Sequence, residues 1–169
     1  MAGVSATLFY DPTERVVATL HPNHTFEKLN FDPWRQESWD VNDTILQTDP
    51  AADFDVGGFF QLLPVSDYSP TWYTQRVAGG LGPQEQEAAN KGATHANTPT
   101  TSYFDTLGRT FLTVVDNGGG VKFSSRVELD IQANQRAVRD AMVQAGDPHG
   151  RIVMRYDYDM LQNLSLIHI

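Results

Sequence analysis

The sequence predicts a mainly β fold, an antiparallel β-hairpin meander interrupted by a partly helical insertion. Three observations predict it. An aromatic-Asp turn signature recurs along the chain, and the stretches between copies carry apolar residues at period two. The stretch 41–101 departs from both patterns, with prolines, paired glycines and strong helix formers. The chain therefore divides into a hairpin region 1–40, an insertion 41–101, a second strand region 102–163 and a short tail 164–169.

Taken in order, Tyr10-Asp11-Pro12-Thr13-Glu14-Arg15 places an aromatic before an Asp-Pro turn start and an arginine four positions after the Asp. Residues 16–20 and 24–31 read as the strands of a hairpin closed by His21-Pro22-Asn23. Phe31-Asp32-Pro33-Trp34-Arg35 reopens the signature with its arginine one place early. Inside the insertion, Pro83 followed by Gln84, Glu85, Gln86, Glu87, Ala88 and Ala89 predicts a helix over 83–91, and 54–63 reads as a shorter helix stopped by Pro64. Phe104-Asp105-Thr106-Leu107-Gly108-Arg109 restores the spacing, and strand 110–115 leads through Asp116-Asn117-Gly118-Gly119-Gly120 into strand 121–131. There Val121, Phe123, Ser125, Val127, Leu129 and Ile131 share one face, opposite Lys122, Ser124, Arg126, Glu128 and Asp130, the pattern of a strand with one buried side. Residues 136–145 read as strand into short helix. Asp147-Pro148-His149-Gly150-Arg151 repeats half the signature, Ile152, Met154, Tyr156 and Tyr158 alternate as another strand, and Tyr158-Asp159-Met160-Leu161-Gln162-Asn163 opens a further copy.

Composition narrows the function classes. With 40% hydrophobic and 11% aromatic residues among 169, the chain holds enough apolar material for a core. A formal charge of −9 is the wrong sign for phosphate backbones or anionic lipid, so neither nucleic acid nor a membrane surface is expected as a partner. No apolar run suits a membrane span, and residues 1–11 lack the basic start and apolar core of a signal peptide. The absence of cysteine removes disulfides, thiolate metal sites and cysteine nucleophiles. Residues 164–169 match the codons CTG TCT CTT ATA CAC ATC, which resemble the transposase mosaic end of sequencing libraries, so they are set apart from the fold as an adapter scar, the alternative being an apolar edge strand. Both ends are expected to be cut: Leu8, Phe9 and Tyr10 enter a motif with little chain before them, and the last copy stops short at Asn163.

Few residues carry chemistry, and none is assigned as catalytic, cofactor-binding or metal-binding. His21, His24 and Glu27 are the one cluster of metal-ligand types, and Pro22-Asn23 makes a turn of it, without a third strong ligand nearby. Asp157, Asp159 and Asp130 offer carboxylates for acid-base work, yet they fall on polar strand faces where solvated charge is the plain reading. Gly118-Gly119-Gly120 lacks the lysine and helix of a phosphate loop. The Asp-Pro steps at Asp11, Asp32, Asp49 and Asp147 are ordinary turn chemistry. Trp34, Trp39, Trp72 and Tyr73 serve either as a ligand platform or as anchors of the insertion, and anchoring is the expectation.

The aromatic-Asp pairs with their downstream arginines resemble the YD repeat of the Rhs family. The segments His21-Pro22-Asn23-His24-Thr25, Phe31-Asp32-Pro33-Trp34-Arg35-Gln36, Trp39-Asp40-Val41-Asn42-Asp43-Thr44, Leu81-Gly82-Pro83-Gln84-Glu85-Gln86 and Arg155-Tyr156-Asp157-Tyr158-Asp159-Met160-Leu161 resemble the B component of bacterial insecticidal toxin complexes and related plasmid-virulence-B-type proteins. The resemblance covers residues 8–163. It implies a fragment of a large hollow β shell that encloses a toxic effector, partnered by the rest of that shell and a C-component-like chain, secreted as part of a toxin complex, with no enzyme activity and no cofactor. Arg35 and Gln162-Asn163 depart from the repeat, pointing to wider turns there, and neither the family's propeller nor a self-cleaving Rhs terminus is recognisable. Two other classes compete: a YD-repeat module that binds a surface glycan or protein through exposed aromatics, and a metal-dependent hydrolase built on the histidines and aspartates.

Overall fold

The structure is a computed structural model describing residues 5–143, 148–161 and 163–169. It is mainly β. Ten strands follow one another in sheet order as they do in sequence: β1 (Thr7–Tyr10), β2 (Val16–Leu20), β3 (Phe26–Phe31), β4 (Arg35–Trp39), β5 (Thr100–Phe104), β6 (Thr110–Asp116), β7 (Lys122–Leu129), β8 (Gln135–Arg139), β9 (Ile152–Tyr158) and β10 (Leu164–His168). Between β4 and β5 lie three helices, α1 (Gly57–Phe60), α2 (Trp72–Val77) and α3 (Pro83–Ala93), with two 3-10 turns at Pro50–Ala52 and Val65–Asp67. Among the described residues no helix is long and apolar enough to cross a membrane. The chain divides into two compact units, one of residues up to 31 with 37–99, the other of 32–36 with 100–169.

The first unit has a core because the insertion supplies what its strands lack. β1 pairs antiparallel with β2, and β2 with β3, leaving Phe9, Ala18, Leu20 and Phe26 buried on one side. The short helix α1 covers them with Phe60, which is 0% exposed and stands 5.2 Å from Phe9, 5.1 Å from Phe26 and 5.6 Å from Tyr68 between ring centroids. Edge-on and tilted ring pairs of this kind each contribute about 0.5–1.5 kcal/mol beyond the area they bury. Close approach of α1 to the preceding turn requires glycine at Gly57, where a Cβ would stand 2.6 Å from the Ala51 carbonyl oxygen. Helix α3 starts as its Pro83 and Glu85 predict and runs two residues beyond the expected end. The helix predicted over 54–63 is only one turn, because Asp53 and the glycines at its start favour turn geometry.

In the second unit β5 to β10 form successive antiparallel pairs. Strand β7 is shorter than the predicted 121–131, because Asp130 and Ile131 enter a turn. The expected buried face is also weaker than the alternation implies: Phe123 is 50% exposed and Val121 48%. Burial concentrates instead beside Ala137, which faces Glu128, itself ion-paired with Arg139. The strand expected at the start of 136–145 is β8, but no helix follows over 140–143; Asp140 turns back to Arg151, whose carbonyl oxygen accepts its N–H at 2.9 Å. The rest of that expected helix and Asp147 lie outside the described residues. Residues 164–168, set apart from the fold in the sequence, form edge strand β10 with every side chain exposed.

Candidate functional site

One local device recurs through the chain. The Asp105 carboxylate accepts backbone N–H bonds from Leu107 at 2.9 Å and Arg109 at 3.0 Å, and the Arg109 Nε donates to it at 2.6 Å. The backbone closes the same loop: Asp105 N–H donates to the Arg109 carbonyl and Gly108 N–H to the Asp105 carbonyl, both at 2.9 Å. This is a hairpin loop closed by a residue in the left-handed region, Gly108 at φ 75°. The side chain thus fixes a turn that the backbone alone would leave loose.

Asp11 builds the same turn with Thr13 and Arg15, with Glu14 at φ 64°. Asp130 builds it with Gln132 and Asn134, with Ala133 at φ 73°. At Asp159 the donors are Leu161 and Asn163. The Asn163 turn is not wider, because the asparagine amide replaces the guanidinium and the loop closes at the same 2.9 Å. The Asp32 turn is tighter by one residue, Asp32 N–H reaching the Arg35 carbonyl. Arg151 pairs with Asp140 at 2.6 Å. The Asp130 copy escaped sequence reading because Leu129 stands in place of the aromatic and Asn134 in place of the arginine.

These hydrogen bonds all favour the ionised carboxylate. The Thr13 hydroxyl and Arg15 N–H hold Asp11 far below the usual range. The Arg109 N–H lowers the pKa of Asp105, the Trp34 N–H that of Asp32 and the Asn163 N–H that of Asp159.

The second notable arrangement is a buried cation. Lys28, on β3 and 7% exposed, donates from Nζ to Asp53 at 2.8 Å and Asp55 at 2.7 Å, and lies 5.0 Å from the centre of the Trp39 ring. Burial opposes its charge, but the two carboxylates outweigh burial and raise its pKa. Lys28, Trp39, Asp43, Gln47, Asp53 and Asn97 line part of a cleft of about 330 Å³. Local sequence gives no sign of this cluster, since Lys28 meets partners from the insertion.

The other candidates are not brought together. His21 Nε2 lies 3.8 Å from Glu27, whereas His24 Nδ1 is 2.8 Å from the Pro70 carbonyl oxygen. Among the described residues no group of three or more histidine or acidic side chains is placed to hold a metal. Asp130 and Asp159 sit in separate turns, and Asp157 faces His168 at 3.2 Å. Gly118, Gly119 and Gly120, all at positive φ, form the β6–β7 hairpin loop. Asp49 caps the 3-10 turn at Pro50. Trp72 lies under the Arg76 guanidinium at 4.4 Å, and Tyr73 sits beside it in α2, half-buried. Trp34 is 56% exposed.

No family model and no curated protein sequence matches the chain. Solved structures do match. A Photorhabdus luminescens Tc holotoxin pore is similar at TM-score 0.61 and 17% identity over 94% of this chain. The TcdB2-TccC3 complex is similar at TM-score 0.60 and 18% identity over 94% of it, and the TcdB2-TccC3-TEV complex at 0.64 and 17% over 96%. In each case the chain spans 6% of the matched chain's length. The fold is therefore that of a segment found in Tc toxin chains.

Proposed function

We propose that this chain is a wall segment of a Rhs-type, toxin-encapsulating β shell, comparable to the B component of insecticidal toxin complexes, with no chemistry of its own. The observation that carries the reading is the hairpin meander closed by one recurring aspartate turn, in a fold shared with Tc toxin chains over nearly its whole length. A sheet that grows by adding hairpins, each closed by the same local device, extends without a new core for each addition. Such a wall suits enclosure. Tyr10, Phe31, Phe104 and Tyr158 precede four of the turn aspartates, which supports the YD-repeat assignment. On this reading its partners are the remaining shell, a C-component-like chain and an enclosed effector, and it works outside the cell within a secreted complex.

Protease protection tests the proposal. The native reading frame is co-expressed with its companion chain and a tagged cargo polypeptide, and cargo digestion is followed over time. Enclosure predicts that cargo survives until the shell is denatured; digestion at the rate of free cargo contradicts it. A second reading, recognition of a surface glycan or protein, is favoured by the exposed indole of Trp34. Glycan-array binding abolished by Trp34→Ala would establish that reading in place of passive enclosure.

A further inference from the structure

Turns are normally polar, because they face water on all sides. In the second unit, turns at one end of the sheet break this rule together. Strands that reverse at each step return every second turn to the same end, so the turns opened by Asp105, Asp130 and Asp159 lie there side by side. A bond from Arg109 Nη1 to the Asp130 carbonyl, 3.3 Å, ties the first two. The turn 32–35 joins them, since Phe104 N–H donates to the Trp34 carbonyl at 2.8 Å. Each turn presents a large apolar side chain at its tip: Trp34 is 56% exposed, Leu107 71%, Ile131 93%, and Met160 and Leu161 101% and 82%.

The charge beside these tips is uneven. Asp105 carries its own guanidinium in Arg109, whereas Asp130 and Asp159 are capped by the neutral amides of Asn134 and Asn163. Arg136, from the following strand, helps lower the Asp130 pKa through its charge, and its guanidinium lies over the Tyr158 ring at 5.7 Å. The Ile131 and Met160 tips therefore combine an exposed apolar side chain with an anion that lacks a cationic partner within its turn.

Successive tips are two strands apart, about 9.6 Å at the usual strand spacing. One heptad of α-helix rises about 10.5 Å, so apolar side chains at i and i+7 fall in step with neighbouring tips. Sheet twist curves the row, which limits a straight helix to adjacent tips. A second copy of this chain is a poor occupant, because it brings the same acidic turns and a formal charge of −9.

We propose that this row of turn tips, centred on Leu107, Ile131 and Met160, is a docking surface for a basic amphipathic helix of a partner protein, with apolar residues at heptad spacing. The recognition mode is a helix laid across hairpin ends, read by two or three apolar anchors and steered by the turn carboxylates.

The test titrates the full chain with a synthetic amphipathic helix carrying leucine at i and i+7 between lysines, and with a scrambled peptide of the same composition, followed by fluorescence anisotropy. The proposal predicts saturable binding of the helix, weakened by salt, and binding at least about tenfold weaker for the scrambled peptide. The triple variant Leu107→Ser, Ile131→Ser, Met160→Ser changes exposed positions only, and an unchanged circular dichroism spectrum verifies its fold. It should lose the interaction to a similar extent. Equal binding by both peptides, or by the triple variant, overturns the proposal. So does concentration-dependent self-association that the triple variant abolishes, which would assign the row to a second copy.

Discussion

Ala133 and Glu14 hold the left-handed backbone position that Gly108 occupies in the Asp105 turn. A side chain there costs about 1 kcal/mol through the clash of Cβ with the carbonyl oxygen. Ala133→Gly should therefore raise unfolding stability by about 0.5–1 kcal/mol, and Gly108→Ala should lower it by a similar amount, read from urea midpoints. The same sign for both would place the strain elsewhere. Lys28 argues the opposite kind of case. Its two carboxylates stand close together, with the Asp53 side chain only 8% exposed, so replacing the lysine leaves uncompensated charge in a poorly hydrated place. Lys28→Met should cost about 3 kcal/mol or more, and the double variant with Asp53→Asn should recover part of the loss. A Lys28→Met protein as stable as the parent would reduce the cluster to surface electrostatics.

Hairpins are the elements, and their turns make them sensitive to acid. Asp11, Asp32, Asp105 and Asp159 have lowered pKa values in the folded chain, so the unfolded chain binds more protons as pH falls. The stability these carboxylates supply is fully present above the unfolded value of about 3.9 and is lost as pH falls through the lower folded values. Thermal midpoints should hold down to that point and fall below it, and an Asp11→Asn, Asp105→Asn double variant should start lower and fall less steeply. The helical element makes a separate prediction. Phe60→Ala should lower stability by about 3–5 kcal/mol, because it empties the centre of the aromatic cluster, whereas Leu62→Ala, 82% exposed, should change it by less than about 0.5 kcal/mol. Equal shifts would mean that α1 is not what closes the first unit.

At the scale of the molecule, strands β2, β3 and β6 to β9 and most Asp turns were legible because their causes are local, whereas β4, β5 and β10 were not read as strands. Asp, a position that admits positive φ and a donor at the fourth place are visible in Asp105-Thr106-Leu107-Gly108-Arg109. The Asp130 turn was not, because Asn134 does the work of an arginine and Ala133 that of a glycine. The aromatic core was not read from the sequence: Phe60 and Tyr68, from the insertion, meet Phe9 and Phe26 only in the fold. The Lys28 cluster is wholly tertiary and left no local trace. The alternation of β7 misled in the other direction, since apolar side chains at period two mark a face that can be covered, and in this chain Phe123 remains half exposed.

That exposed face, and the open order of strands from β1 to β10, are what a wall segment requires and what a free-standing domain avoids. Cryo-electron microscopy of the product of the full native reading frame, with its companion chain, tests this most directly. The account predicts that the hairpins of β1 to β4 and of β5 to β9 lie within the wall of a closed, hollow β shell. A map in which the same residues stand as a separate domain, with both sheet edges in solvent and no enclosed volume, would contradict it.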